Sequence, residues 1–244
     1  TLAETELPDG TLTTRYRFSH ALYRDALYDD VVSQRRVRLH RQIGQRLLDH
    51  YGDQESRIAA PLAMHFERGR DFARAVEYLI QAGGNATHAY ANAEAETLYT
   101  HALSLVDRLD AEVQAKTEAV VHEKRSATRL ALGRFSEAAE DSTRMVELAR
   151  ANDDTTSEFA GLRSLTQALF YSHRLDETAE CAAQALAVAE RSESAEWQAD
   201  IMNLVGLKQL CWGELRDAKR TLDQGVALAR SVEHRSALGQ TLTW

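Results

Sequence analysis

The strongest constraint on the fold is a repeat: three segments of the chain align without gaps at an interval of 40 residues. Each has a large apolar residue, a small residue three positions later, and then apolar residues at helical spacing. The segments are GRFSEAAEDSTRMVELARA (133–151), HRLDETAECAAQALAVAER (173–191) and GELRDAKRTLDQGVALARS (213–231). Because no single helix pair can bury its own apolar face, this repeat predicts a solenoid.

Each segment follows another helical stretch, so the repeating unit is a helix–turn–helix. These stretches are 111–132, 157–172 and 196–212, and the turns fall at Gly133-Arg134, His173-Arg174 and Gly213-Glu214. The unit resembles a tetratricopeptide repeat lengthened to 40 residues, and looser matches at 70–82 and 90–108 extend the resemblance to about 57–244. We therefore expect an all-α, tetratricopeptide-like helix-turn-helix solenoid.

Composition and charge narrow the functional class. The chain has two prolines and twelve glycines in 244 residues, which favours long helices, and it has no apolar run of the roughly 18 residues that span a membrane. The net charge is -8, although residues 1–74 are nearly balanced, with 12 arginines and 11 acidic residues. An acidic majority argues against general nucleic-acid binding. Cys181 and Cys211 are isolated, as in a reduced, cytoplasmic protein.

The first 56 residues have a different pattern from the repeats. A Pro-Asp-Gly turn between Leu7 and Leu12, followed by alternation over 13–18, predicts a short N-terminal β-hairpin. Ser19 is suited to cap the helix that follows, which would place His20 in its first turn. A second helix is predicted over 33–52. Because the chain opens on Thr1 rather than Met, we expect it to be an excerpt of a longer protein.

Three motifs occur in an order that resembles the bacterial signal-transduction ATPases of the STAND class. They are PDGT followed by RYRFSHALYRDALY, then RRVRLHRQIGQRL, then AMHFERGRDFARAVEYLIQAG. That class includes large LuxR-type regulators and ATPases attached to adenylate cyclases. The resemblance implies that residues 1–56 are the end of a winged-helix-like module, that 57–244 are repeats, and that an ATPase domain lies upstream in cis.

The same resemblance gives His20 a candidate role. In related STAND proteins a His-Asp-Leu-like motif lets the histidine contact the β-phosphate of ADP; here the motif is His20-Ala21-Leu22, without the aspartate. Free backbone N–H groups at a helix start favour a phosphate there. The alternative is a histidine that caps or packs at a strand–helix corner. The chain has no Gly-rich Lys-Ser/Thr phosphate loop and no His/Cys metal spacing, so we expect no enzyme activity, cofactor or metal in it.

Two sets of basic residues are candidates for a partner or effector surface. The run Arg35, Arg36, Arg38 and Arg41 is either a docking patch, for the ATPase domain rather than for DNA, or a solvated helix face. The second set occupies positions at which the next repeat has Leu162, Leu165 and Leu169. It consists of His122, Arg125 and Arg129. These polar residues mark either a ligand groove or a first repeat that is shifted or partly solvent-facing.

Taken together, these patterns predict a non-catalytic sensor and scaffold arm of a cytoplasmic regulatory ATPase, in signal transduction or transcription regulation. It would bind a protein or small effector on its helical repeats. The alternative is an independent tetratricopeptide adaptor for peptide or protein partners, with no nucleotide link. Residues 236–244 match the start of another repeat, and we expect Leu238 and Trp244 to offer apolar surface for oligomer contacts.

Overall fold

A computed structural model describes residues 3–15, 18 and 20–231 of the chain. It forms two compact units, Thr1–Gln114 and Ala115–Trp244, and the boundary falls within a helix. The predicted boundary between residues 56 and 57 lies inside the first unit, and the winged-helix assignment stays a prediction. Tyr16, Arg17, Ser19 and the segment 236–244 with Leu238 and Trp244, on which several expectations rest, lie outside the described residues.

The first unit opens with the predicted hairpin. Strands β1 (Ala3–Glu6) and β2 (Leu12–Arg15) are antiparallel, with Glu6 opposite Leu12. The connecting turn contains Gly10 at φ 82° and is closed by an Asp9 side chain that accepts a hydrogen bond from the Thr11 N–H. The described part of β2 ends at Arg15, short of the predicted strand end at 18.

Five helices and one 3-10 segment follow in the first unit. Their bounds are α1 (Ala21–Asp29), α2 (Ser33–Tyr51), the 3-10 helix Gly52–Ile58, α3 (Ala59–Arg68), α4 (Phe72–His88) and α5 (Asn92–Val106). The core contains Leu62, Phe66, Val76 and Tyr99, all nearly inaccessible to solvent. Gly83 lets α4 approach the Tyr99 ring so closely that an added Cβ would lie 2.5 Å from it.

The three repeats appear as six helices of similar length. Their bounds are α6 (Ala111–Ala131), α7 (Phe135–Ala151), α8 (Thr155–Tyr171), α9 (Leu175–Arg191), α10 (Ala195–Cys211) and α11 (Leu215–Ser231). The unit boundary lies in α6. These bounds agree with the predicted helices to within two residues at each end, and the predicted fold class is confirmed.

The turns inside the repeats share one backbone conformation. Gly133 and Gly213 have left-handed φ values of 73° and 79°, as a glycine that closes a helix should. The equivalent residue of the middle repeat, His173, adopts φ 58° without being glycine. The turn geometry is therefore imposed by the packing of the two helices and does not depend on glycine.

The aligned small residues lie where helices meet. Ala138 and Thr178 are buried, as is Ala218, and the aligned alanines 149, 189 and 229 are also buried. Larger side chains fill the space between repeats in the second unit, where the Phe159 and Trp197 rings stack with centroids 4.7 Å apart.

Enlarging Ala218 should destabilise the second unit. Because Ala218 is 1% exposed, we expect Ala218→Leu to lower the free energy of unfolding by about 1–3 kcal/mol through overpacking. The exposed Glu193 gives the control: Glu193→Lys should cost less than about 0.5 kcal/mol, since neither residue type is buried there and both have a Cβ at the same φ of 52°. Thermal unfolding of both variants measures the difference, and equal melting temperatures would contradict the repeat register.

Candidate functional site

His20 is the N-cap residue of α1, one position before the first turn in which it was predicted. Its backbone is extended, and its Nδ1 accepts a hydrogen bond from the Leu22 N–H at 3.4 Å. An Nδ1 that accepts carries no proton, so the neutral ring has its proton on Nε2. The exposed imidazole therefore caps α1 through one nitrogen and has the other as a hydrogen-bond donor. Its predicted contact with ADP stays untested.

Helix α1 has an apolar surface with no described covering. Phe18, Leu22, Tyr23 and Leu27 are each more than half exposed. The last turn of α1 contacts the rest of the first unit: the Asp29 carboxylate lies 3.3 Å from Arg36 Nη1, and Tyr28 contacts two neighbouring elements. A helix with apolar residues exposed along its length is a candidate for contact with another protein surface.

The structure divides the predicted arginine run into two pairs. Arg36 pairs with Asp29 and lies over the Tyr28 ring, 5.1 Å from its centroid. Arg41 donates from Nε to the carbonyl of Gly69 at 2.6 Å, which ties α2 to the end of α3. Arg35 and Arg38 are exposed, and neither side chain has an ion-pair or hydrogen-bond partner among the described residues. The role of this run as a partner surface stays a prediction.

A chain of aromatic polar groups joins α1, α2 and α3. The Tyr28 hydroxyl lies 2.9 Å from His40 Nε2, and His40 Nδ1 lies 2.9 Å from His65 Nδ1. One proton between two ring nitrogens satisfies both, so two neutral imidazoles fit this arrangement. Burial and the nearby Arg68 charge lower the pKa of His40. Burial, His40 and Arg68 lower that of His65 to about 4.

The second predicted set of basic residues converges on one carboxylate. Asp141, on α7, is 1% exposed and receives hydrogen bonds from all three side chains. His122 Nδ1 lies 2.7 Å from Oδ1, Arg125 Nη2 lies 2.6 Å from Oδ1, and Arg129 Nη1 lies 2.9 Å from Oδ2. Their role as an effector surface stays a prediction, and the three side chains, only 12–14% exposed, are engaged with a buried partner.

The Asp141 carboxylate is held in its charged form. Burial alone would raise the pKa of Asp141, but hydrogen bonds from His122 and Arg125 and the charges of both arginines together lower it. Glu118 extends the network, since its Oε1 lies 3.7 Å from His122 Nε2 and 2.8 Å from Arg144 Nε. The cluster is a buried ion network that links α6 to α7.

The next repeat has an apolar set at the same positions. Leu162, Leu165 and Leu169 replace the three basic residues, and Cys181 replaces Asp141. Cys181 is buried and its Sγ lies 3.4 Å from the Leu162 carbonyl, so the spatial relation is preserved while the chemistry differs. Four coordinated differences therefore distinguish two adjacent repeats.

Sequence reasoning identified the basic residues and missed their acidic partner. Asp141 lies on a different helix from His122, but it aligns with Cys181 on a buried face, and a charge at such a position was a usable signal. It also missed His40 and His65, which are 25 residues apart and follow no motif. Within the described ranges, no group of three His, Cys, Asp or Glu side chains could hold a metal ion, and no helix is long and apolar enough to cross a membrane.

Solved structures similar to this chain are helical-repeat proteins. Aspartyl phosphate phosphatase F from Bacillus subtilis superposes with a TM-score of 0.65 at 12% identity, over 90% of this chain and 57% of its own length. TPR-like repeats of a putative kinesin light chain from Podosopora anserina give 0.62 at 14% identity, over 84% of this chain and 99% of theirs. A Rap protein complexed with competence and sporulation factor gives 0.59 at 13% identity, over 90% and 62%.

These likenesses establish the fold. At 12–14% identity they support no statement about activity, and the chain spans less than two thirds of the phosphatase and of the Rap protein. No protein-family model and no curated protein sequence matches the chain. The chain is therefore similar in fold to tetratricopeptide-like repeat proteins.

Proposed function

We propose that this chain is a non-catalytic binding scaffold, and specifically the sensor arm of a cytoplasmic regulatory ATPase in signal transduction or transcription regulation. In this proposal the ATPase domain contacts the hairpin and α1, and the helical repeats receive a protein or small effector. The resemblance of the first hundred residues to STAND regulators supports the ATPase link. The occurrence of a similar fold in a Rap protein complexed with a factor supports effector binding by the repeats.

The observation that carries the proposal is the uncovered apolar surface of α1. Leu22, Tyr23 and Leu27 are exposed on a helix whose last turn contacts its own unit through Tyr28 and Asp29. Burying three such side chains is worth about 1.5–3 kcal/mol each, which is enough to drive association. His20 lies at the start of the same helix, so a domain seated on α1 would place its ligand within reach of the free Nε2–H of His20.

The test uses the 244-residue chain and the ATPase domain that we propose is encoded directly upstream of it. Isothermal titration calorimetry should show binding between the two. The double variant Leu22→Asp with Leu27→Asp should weaken this binding at least about tenfold, because each substitution places a charge in the contact. Leu215→Asp, at a leucine that is also more than half exposed but lies in the second unit, should leave the affinity unchanged.

The nucleotide part of the proposal has its own measurement in the same complex. His20→Ala should weaken ADP retention by roughly 10- to 150-fold, since a hydrogen bond to a charged group contributes about 1.5–3 kcal/mol. Unchanged ADP retention would leave His20 as a helix cap only. An upstream sequence without a phosphate loop, or no binding to the ATPase domain, would instead identify the chain as an independent adaptor.

A further inference from the structure

Besides the apolar surface of α1, the first unit has an uncovered stripe along α2, on a different side of this helix from its buried residues His40 and Gly44. Its helical members recur at i, i+4, i+8 and i+11, so they share one face of the helix. They are Arg35, Leu39, Ile43 and Arg46, and Val32 is the N-cap residue that directly precedes the helix. The core side of α2 is formed by residues such as Gly44, against which the Phe66 ring packs at 3.0 Å from the position of an added Cβ. Helix α2 is thus two-sided, with only one side buried by the first unit.

The apolar members of this α2 stripe are open to solvent. Val32 is 72% exposed, and Leu39 and Ile43 are 41% and 40% exposed. A depression of about 440 Å³ lies beside Leu39, and its lining includes Arg35, Arg38 and Gln42. Leu39 and Ile43 are four residues apart, so their side chains are neighbours on the surface of α2.

The arginine side chains on and beside the stripe have no described partner. Arg35 and Arg46 on the stripe and Arg38 beside it are all exposed, and their guanidinium groups make no ion pair or hydrogen bond with any residue that the structure describes. This distinguishes them from Arg36 and Arg41, which are engaged with Asp29 and with the end of α3. Three unpaired guanidinium groups therefore flank an exposed apolar row.

We propose that the α2 stripe binds an acidic amphipathic helix of a partner protein. Leucine-like residues of that helix would cover Val32, Leu39 and Ile43, and its flanking Asp or Glu side chains would pair with the unpaired arginines. Guanidinium groups bind carboxylates in a planar, two-point geometry, which gives such a contact its orientation. The inference does not depend on the ATPase link, because it rests on the exposure and charge of α2 alone.

A nucleic-acid ligand fits the stripe less well. The outer arginines, Arg35 and Arg46, are eleven residues apart, or about 17 Å along a helix. The side chains between them on this face include two large apolar residues, Leu39 and Ile43. Phosphate backbones are bound by clustered cations and polar groups, whereas an exposed aliphatic row gains stability only against apolar side chains.

The experiment uses the 244-residue chain and two synthetic 22-residue helical peptides as probes. Both have Leu at the a and d positions; one has Glu and the other Lys at the e and g positions. We expect the Glu peptide to bind at least about tenfold tighter than the Lys peptide. In the variant Arg35→Glu with Arg38→Glu this preference should invert, because the new glutamates repel the Glu peptide and attract the Lys peptide.

The matched control changes the net charge equally, away from the stripe. Arg57→Glu with Arg216→Glu should keep the preference for the Glu peptide, and circular dichroism establishes that each variant is folded. Leu39→Ser with Ile43→Ser should weaken binding of the Glu peptide at least about fivefold. No binding of the Glu peptide, an equal effect of the control pair, or stripe-dependent binding of a DNA duplex in place of the peptide would each overturn the proposal.

Discussion

Replacing Asp141 by alanine should lower the free energy of unfolding of the second unit by about 3–5 kcal/mol. Asp141 is 1% exposed, and its removal takes from the Arg125 and Arg129 guanidinium groups the buried carboxylate that both of them contact. Urea denaturation followed by tryptophan fluorescence measures the loss, since all three tryptophans of the chain lie in the second unit.

A surface carboxylate provides the control for this prediction. Asp217 pairs with Arg220 at 2.8 Å, but both side chains are more than half exposed, so Asp217→Ala should cost less than about 1 kcal/mol. A loss below 1 kcal/mol for Asp141→Ala as well would show that the network adds little to stability.

The sequence of the next repeat suggests a variant that should restore the stability lost in Asp141→Ala. A variant with Cys at 141 and Leu at 122, 125 and 129 has the apolar set of the next repeat, and hydrophobic replacements of buried ion networks are often neutral or stabilising. We expect this fourfold variant to unfold at a urea concentration equal to or above that of the natural chain. A fourfold variant as unstable as Asp141→Ala would contradict the equivalence of the two repeats.

Acidification should destabilise the contact between α2 and α3 in the first unit. His65 has a pKa of about 4 when folded against an ordinary value of 6.5, so the unfolded state binds more protons in between. Stability is therefore complete above pH 6.5 and decreases as the pH falls towards 4. The difference corresponds to about 3 kcal/mol at most, and to roughly 1–3 kcal/mol for a side chain that is only partly buried.

Hydrogen exchange of peptides from α2 and α3, corrected for the intrinsic rate at each pH, measures this effect. The groups that face the histidine pair are Tyr28 and Arg68, and neither changes charge in this pH range. His65→Leu removes one of the two histidines whose pKa is lowered and should reduce the pH dependence of exchange. A natural chain with equal stability at pH 7 and pH 4.5 would show that His65 is protonated without cost.

Much of the fold was predictable because the same helix–turn–helix pattern occurs three times in the sequence. Phe135, Leu175 and Leu215 each begin a helix, as their alignment predicted, and a buried alanine ends the packed face of each of these helices. Local signals of this kind depend only on neighbours within one or two turns. The left-handed conformation of His173 follows from its alignment with Gly133 and Gly213, although its residue type does not favour it.

The candidate site was only partly predictable, because its interactions connect distant positions. The alignment showed that His122, Arg125 and Arg129 occupy positions at which the next repeat has leucine. The acidic residue that explains their burial is on another helix. The division of the arginine run had no sequence signal either, since the partner of Arg41 is a backbone carbonyl 28 residues away. Patterns identify which side chains are unusual for their position, and packing decides what each of them contacts.

The charged set in one repeat and the apolar set in the next have a consequence for how the gene can change length. Recombination that removed 40 codons, residues 133–172, would join α6 to α9 in frame and place Cys181 opposite His122, Arg125 and Arg129. Removal of 173–212 would instead join α8 to α11 and place Thr221 opposite three leucines. The first deletion removes the carboxylate that His122, Arg125 and Arg129 contact, whereas the second removes no such partner, so we expect loss of a repeat to cost more stability at the first junction than at the second.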